Sequence, residues 1–147
     1  MTPTKAKKFL AIAKAVSELS KDPSTKVGAI ALSAEGAVLS VGYNGFPRRI
    51  ADTVERYACR DTKYALIAHA EQNLVAQAAA IGVPLRGCTV VISGLYPCSS
   101  CAKSLIQAGV VRIVTPPSGD NPRWADDATW SALMFREAGV EIIFVGD

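Results

Sequence analysis

The sequence predicts a three-layer α/β/α sandwich built on a mixed five-stranded sheet. Three observations lead there. Two short β-rich runs near the N-terminus are separated by four turn residues, which reads as a hairpin. From residue 69 onward, helical and β-rich stretches alternate. The 147 residues are half apolar, enough for one core. A hairpin pairs antiparallel, whereas a strand–helix–strand return pairs parallel and lays helices on the sheet faces.

Each element has its own signal. Residues 4–19 form an amphipathic helix with Phe9, Leu10, Ile12, Ala13, Val16 and Leu19 on one stripe and Thr2 or Thr4 as cap. The run Ser20-Lys21-Asp22-Pro23-Ser24 stops it. Strands over 27–32 and 37–43 flank the turn at Ser33-Ala34-Glu35-Gly36. A loop follows at 44–49, and the polar stretch on to Lys63 reads as irregular. A helix over 69–81 ends at Gly82, and a strand covers 88–93. The next helix, 98–108, begins after Pro97 and stops at Gly109; a strand at 110–115 follows. A helix over 125–138, stopped by Gly139, leads to the last strand at 140–145.

Composition excludes several classes. Disorder needs low hydrophobicity and high net charge, and this chain has neither. No apolar stretch approaches the ~18 residues of a spanning helix, and no secretory leader is visible, so the expectation is one cytoplasmic domain over 1–147 with no membrane partner. The net charge of +3 is dispersed, which argues against a nucleic-acid partner and leaves small phosphorylated ligands open. Four cysteines in such a chain point to metal or redox chemistry before a disulfide framework.

The chemistry concentrates in two half-motifs. Pro97-Cys98-Ser99-Ser100-Cys101 opens a helix, where i and i+3 share a face and the positive helix end favours thiolate. Thiolates bind zinc, but two do not complete a site. The single histidine, His69, also stands at a helix start, two residues before Glu71. Three ligands, His69, Cys98 and Cys101, leave a fourth zinc position for water, whose pKa zinc lowers to about 7. Glu71 is placed to carry protons between that water and a substrate. His-x-Glu with Pro-Cys-x-x-Cys is the signature of zinc nucleobase deaminases. Other readings stand beside it. Cys-x-x-Cys alone could be a redox pair, which does not need His-Ala-Glu upstream. A zinc-stabilised binding module needs no Glu71 and a fourth ligand to close the site.

With these residues the chain resembles the deoxycytidylate (dCMP) deaminase family, within the cytidine deaminase superfamily. The resemblance runs through Asp22-Pro23-Ser24-Thr25-Lys26, Gly42-Tyr43-Asn44-Gly45-Phe46-Pro47-Arg48, Asp61-Thr62-Lys63-Tyr64, His69-Ala70-Glu71 and Pro97-Cys98-Ser99-Ser100-Cys101. It implies a cytidine deaminase-like fold and zinc-dependent hydrolysis of dCMP to dUMP and ammonia. Some relatives carry a second, structural zinc on extra His and Cys before His-Ala-Glu; that stretch here offers only Cys59 and no further histidine, so one zinc ion per chain is expected. Glu71 would take a proton from the attacking water, deliver it to ring N3, and pass another to the amine leaving C4. The resemblance further implies that Ala70 offers its N–H to the ring carbonyl, that Asn44 meets the sugar, and that Ser24, Thr25 and Lys26 hold the 5′-phosphate. Tyr43, Asn44, Gly45, Phe46 and Arg48 would line an allosteric pocket in a hexamer. There dCTP would activate and dTTP inhibit, with Mg2+ accompanying the triphosphate. Each of these has a plainer reading: Asn44-Gly45 as a turn pair, residues 22–25 as a helix stop, Lys26 and Arg48 as solvated charge. A relative acting on another nucleotide or on tRNA adenosine is the alternative. Cys88 reads as a small core residue. The loop after the fourth strand lacks the tyrosine relatives place over the pyrimidine; Trp124 could supply an aromatic face there, but reads first as an anchor of the last helix.

Overall fold

The computed structural model describes residues 1–146. Its elements are α1 (Pro3–Ser17), β1 (Gly28–Leu32), β2 (Val38–Tyr43), α2 (Val54–Ala58), α3 (Arg60–Leu66), α4 (Ala70–Ile81), β3 (Thr89–Ser93), α5 (Ser99–Gln107), β4 (Arg112–Thr115), α6 (Pro122–Ala138) and β5 (Glu141–Phe144). The sheet order is β2-β1-β3-β4-β5. β1 pairs antiparallel with both β2 and β3, whereas β3–β4 and β4–β5 are parallel. The mixed sheet expected from the hairpin and the later alternation is the one observed.

Period-two alternation sorts β1 between the two faces. Ala29 and Ala31 join Val90, Ile92 and Ile113 against Leu74 of α4, Leu105 of α5 and Phe135 of α6. Ile30 and Leu32 join Val91 and Val114 against Ala6, Leu10 and Ala13 of α1. One helix therefore covers one face and three cover the other. Cys88 lies in the three-helix core, as its apolar strand predicts.

Two glycines set how closely helices approach the sheet. A Cβ on Gly28 would lie 2.1 Å from the Ala13 carbonyl oxygen in α1, and one on Gly42 would lie 2.2 Å from that of Ala70 in α4. No side chain fits either place.

Three expectations need correction. α1 ends at Ser17, and Leu19, expected on its apolar stripe, is exposed, because the chain turns through Ser17–Ser20 to reach the next loop. The stretch before Lys63 contains two short helices; Thr53 caps α2 through the Arg56 N–H, and α3 follows at once. They are too short to show apolar periodicity. α6 begins at Pro122, since Asn121 accepts the Arg123 N–H and proline suits a first helical position. Trp124 is thus in the first turn of α6 and half exposed, and does not anchor it.

Candidate active site

His69 and Cys98 are the N-caps of α4 and α5, in extended conformation just ahead of the first turn. The Gln72 side chain accepts the His69 N–H at 2.8 Å, half of a capping box that fixes the entry to α4. Cys98 and Cys101 bracket the first turn of α5. His69 Nδ1 lies 3.3 Å from Cys101 Sγ and 3.4 Å from Cys98 Sγ. The three donor atoms lie within 4.8 Å of one another, and they form the one His/Cys/Asp/Glu cluster of this kind among the described residues. Donors on a tetrahedral zinc at ~2.0–2.3 Å sit roughly 3.5 Å apart, so one nitrogen and two sulfurs at these spacings fit that ion.

Electrostatics agree with this donor set. The hydrogen bond from Cys101, aided by His69, outweighs burial and lowers the Cys98 thiol to about 4. Sharing that proton with Cys98, together with burial, pushes Cys101 upward. The contact with Cys98 raises His69 against the opposing effect of its partial burial. Glu71, buried in the first turn of α4, is raised chiefly by that burial.

His69, Glu71 and Cys98, with the buried Cys101 adjoining them through His69 Nδ1, form the floor of a cavity of about 220 Å³. Its walls include Thr25, Val27, Asn44, Lys63, Tyr64 and Trp124. Asn44 is buried and holds the loop before β1: its Oδ1 accepts the Val27 N–H at 2.8 Å and its Nδ2 donates to the Thr25 carbonyl at 2.8 Å. Asp22 is the second anchor. It accepts from Ser24 N–H, Ser24 Oγ and Thr25 N–H, and from Lys63 Nζ at 2.9 Å. Burial alone would raise the Asp22 carboxyl, but these bonds hold it below its ordinary range.

Residues 3–116 match the family described as the cytidine and deoxycytidylate deaminase zinc-binding region. The chain belongs to this deaminase family. It is 36% identical over 137 residues to the deoxycytidylate deaminase of Homo sapiens, covering 90% of this chain and 74% of that protein. It is 34% identical over 142 residues to an uncharacterised deaminase of Aliivibrio fischeri, covering 95% and 92%. The crystal structure of the dCMP deaminase from cyanophage S-TIM5 in complex with dCMP and dUMP superposes with a TM-score of 0.80 at 25% identity, covering 99% of both chains. A deaminase-like fold and a zinc-binding hydrolase family follow from these matches.

Within this deaminase, the structure separates the remaining expected residues. Ala70 and Asn44 line the cavity, as does Thr25, while Lys26 points to Glu18 at 3.8 Å. The Ser24 hydroxyl is bonded to Asp22 and receives Lys63 Nζ at 2.9 Å. Tyr43 is exposed, Gly45 pairs with Ala68, Phe46 stacks on Tyr57 with ring centroids 4.2 Å apart, and Arg48 bonds Gln77. Sequence reasoning missed Asp127 of α6, whose carboxylate accepts the Ser99 N–H at 2.8 Å and the Ser99 hydroxyl at 2.6 Å. That bond ties the cysteine-bearing turn of α5 to α6, and nothing local in the sequence signals it. It also gave Lys63 and Asp22 no role, although Asp-Pro-Ser-Thr is a turn-forming run whose carboxylate seeks nearby N–H groups.

Proposed function

We propose that this protein hydrolyses dCMP to dUMP and ammonia, with zinc held by His69, Cys98 and Cys101 and with Glu71 as the catalytic proton carrier. The observation that carries the reading is a buried carboxyl two residues from His69, lining the same cavity as His69 and Cys98 of the one-nitrogen, two-sulfur donor cluster. The names of the human and cyanophage relatives support the substrate. Zinc bound there supplies Lewis-acid activation of the attacking water. The Glu71 carboxyl moves a proton from that water to ring N3 and a second to the amine leaving C4. Burial raises its pKa above the ordinary carboxylate range, which makes it a stronger base for that transfer.

The base lies against the first turn of α4, with the Ala70 N–H donating to the ring carbonyl. Asn44 Oδ1 has a second lone pair for a sugar hydroxyl, and the Ser24–Lys26 turn, through Thr25 at the wall, receives the phosphate end. Regulation belongs to the same reading: dCTP activates and dTTP inhibits at a pocket of Tyr43, Asn44, Gly45, Phe46 and Arg48 in a hexamer, with Mg2+ on the triphosphate.

A panel of dCMP, CMP, dCTP, deoxycytidine, dAMP and a tRNA anticodon hairpin, followed by ammonia release with and without dCTP and dTTP, tests all of this. Preferred turnover of dCMP, lost on chelation and restored by zinc, is expected. Turnover of the hairpin or of dAMP in its place would overturn the substrate. A flat response to both triphosphates would remove the regulatory part alone.

A further inference from the structure

The base end of the cavity is accounted for, but the charge at its mouth is not. A nucleotide monophosphate carries about −1.5 to −2 at neutral pH. Lys26, expected at the phosphate, and Lys63, on the cavity wall, are already engaged: Lys26 Nζ lies 3.8 Å from Glu18 and Lys63 Nζ 2.9 Å from Asp22. Arg60 and Arg123 are different. The Arg60 guanidinium stacks 5.3 Å from the Tyr64 ring centre. The Arg123 guanidinium stacks 5.7 Å from Tyr64 and 4.9 Å from Trp124. Tyr64 and Trp124 both line the cavity, yet each is about half in water, at 51% and 47% exposure, so the stack serves no core. Among the described residues, neither guanidinium is in an ion pair. Stacking occupies the flat face of a guanidinium and leaves the N–H donors on its edge free, in a fork that matches phosphate oxygens.

We infer that Arg60 and Arg123, oriented by Tyr64 and Trp124, form a phosphate clamp at the cavity mouth that makes the site selective for nucleoside 5′-monophosphates over nucleosides. The clamp joins α3 to the first turn of α6, two segments about sixty residues apart in the chain. It deepens the reading of this same site and rests on it for the identity of the nucleoside.

The test compares the zinc-loaded parent with Arg60→Gln, Arg123→Gln and the double variant. Equilibrium binding of dUMP and deoxyuridine is measured beside turnover of dCMP and deoxycytidine. The double variant should bind dUMP about ten- to hundredfold more weakly and bind deoxyuridine within about twofold of the parent. KM for dCMP should rise with little change in kcat, and Arg123→Lys should fall between parent and Arg123→Gln, because lysine keeps the charge without the fork. An unchanged preference for dUMP over deoxyuridine in the double variant, or a parent with no preference, overturns the clamp. A parent that binds dUMP through these arginines but deaminates no cytosine nucleotide would refute the dCMP reading and leave the clamp standing.

Discussion

The floor of the cavity and its mouth are built in opposite ways. The floor groups sit at the first turns of α4 and α5, helices packed against the sheet; Glu71 and Cys101 are buried, and Asp127 ties α5 to α6. Gly42 lets the backbone of α4 rest directly on β2. The mouth is made of exposed side chains on short α3 and on the outermost turn of α6, joined by stacking. A reaction that moves protons between fixed atoms tolerates little displacement, so its groups belong on elements the core holds still. Choice of substrate is made by side chains that can change without refolding anything beneath them.

Four substitutions sharpen or break this contrast, in descending order of effect. Glu71→Gln should lower kcat by about 10²–10⁴-fold with zinc content unchanged, measured by steady-state kinetics and metal analysis. Retained turnover would remove the catalytic role of the floor. Gly42→Ala forces a methyl into the backbone of α4 and should cost about 3 kcal/mol in denaturant unfolding, with zinc affinity falling in parallel. Asp22→Asn should cost on the order of 2 kcal/mol at neutral pH through the bonds from Lys63, Ser24 and Thr25. The Asp22 pKa is depressed in the folded chain, so its contribution is complete above the unfolded value near 3.9 and fades as pH falls through the lower folded value. The stability gap between parent and variant should therefore narrow on acidification below about pH 4. Trp124→Ala should have the smallest effect, raising KM for dCMP about two- to fivefold with kcat unchanged, since it loosens one partner of Arg123.

The same contrast explains what the sequence could reveal. The floor was legible because its signals are local: Cys98 and Cys101 one helical turn apart, His69 and Glu71 at one helix start, each after or at a cap. The sheet was legible because hairpin and alternation are local patterns too. The mouth was not, since Arg60, Tyr64, Arg123 and Trp124 meet only after folding. The early start of α6 was written in Asn121-Pro122, a cap followed by a first-turn proline, but the neighbouring Pro, Gly and Ser residues make that run read as loop. Asn44 could be read as a turn residue or a ligand contact. The fold shows its amide fastening Val27 and Thr25, a role no spacing announces.

A single imidazole in 147 residues makes the molecule its own spectroscopic label. In a nitrogen-15 correlation spectrum the histidine side-chain signals would come from one ring and need no assignment by mutagenesis. Because Nδ1 is the atom facing both sulfurs, its resonance should move on metal loading far more than that of Nε2. Occupancy could then be followed directly, in solution and without a chromogenic chelator.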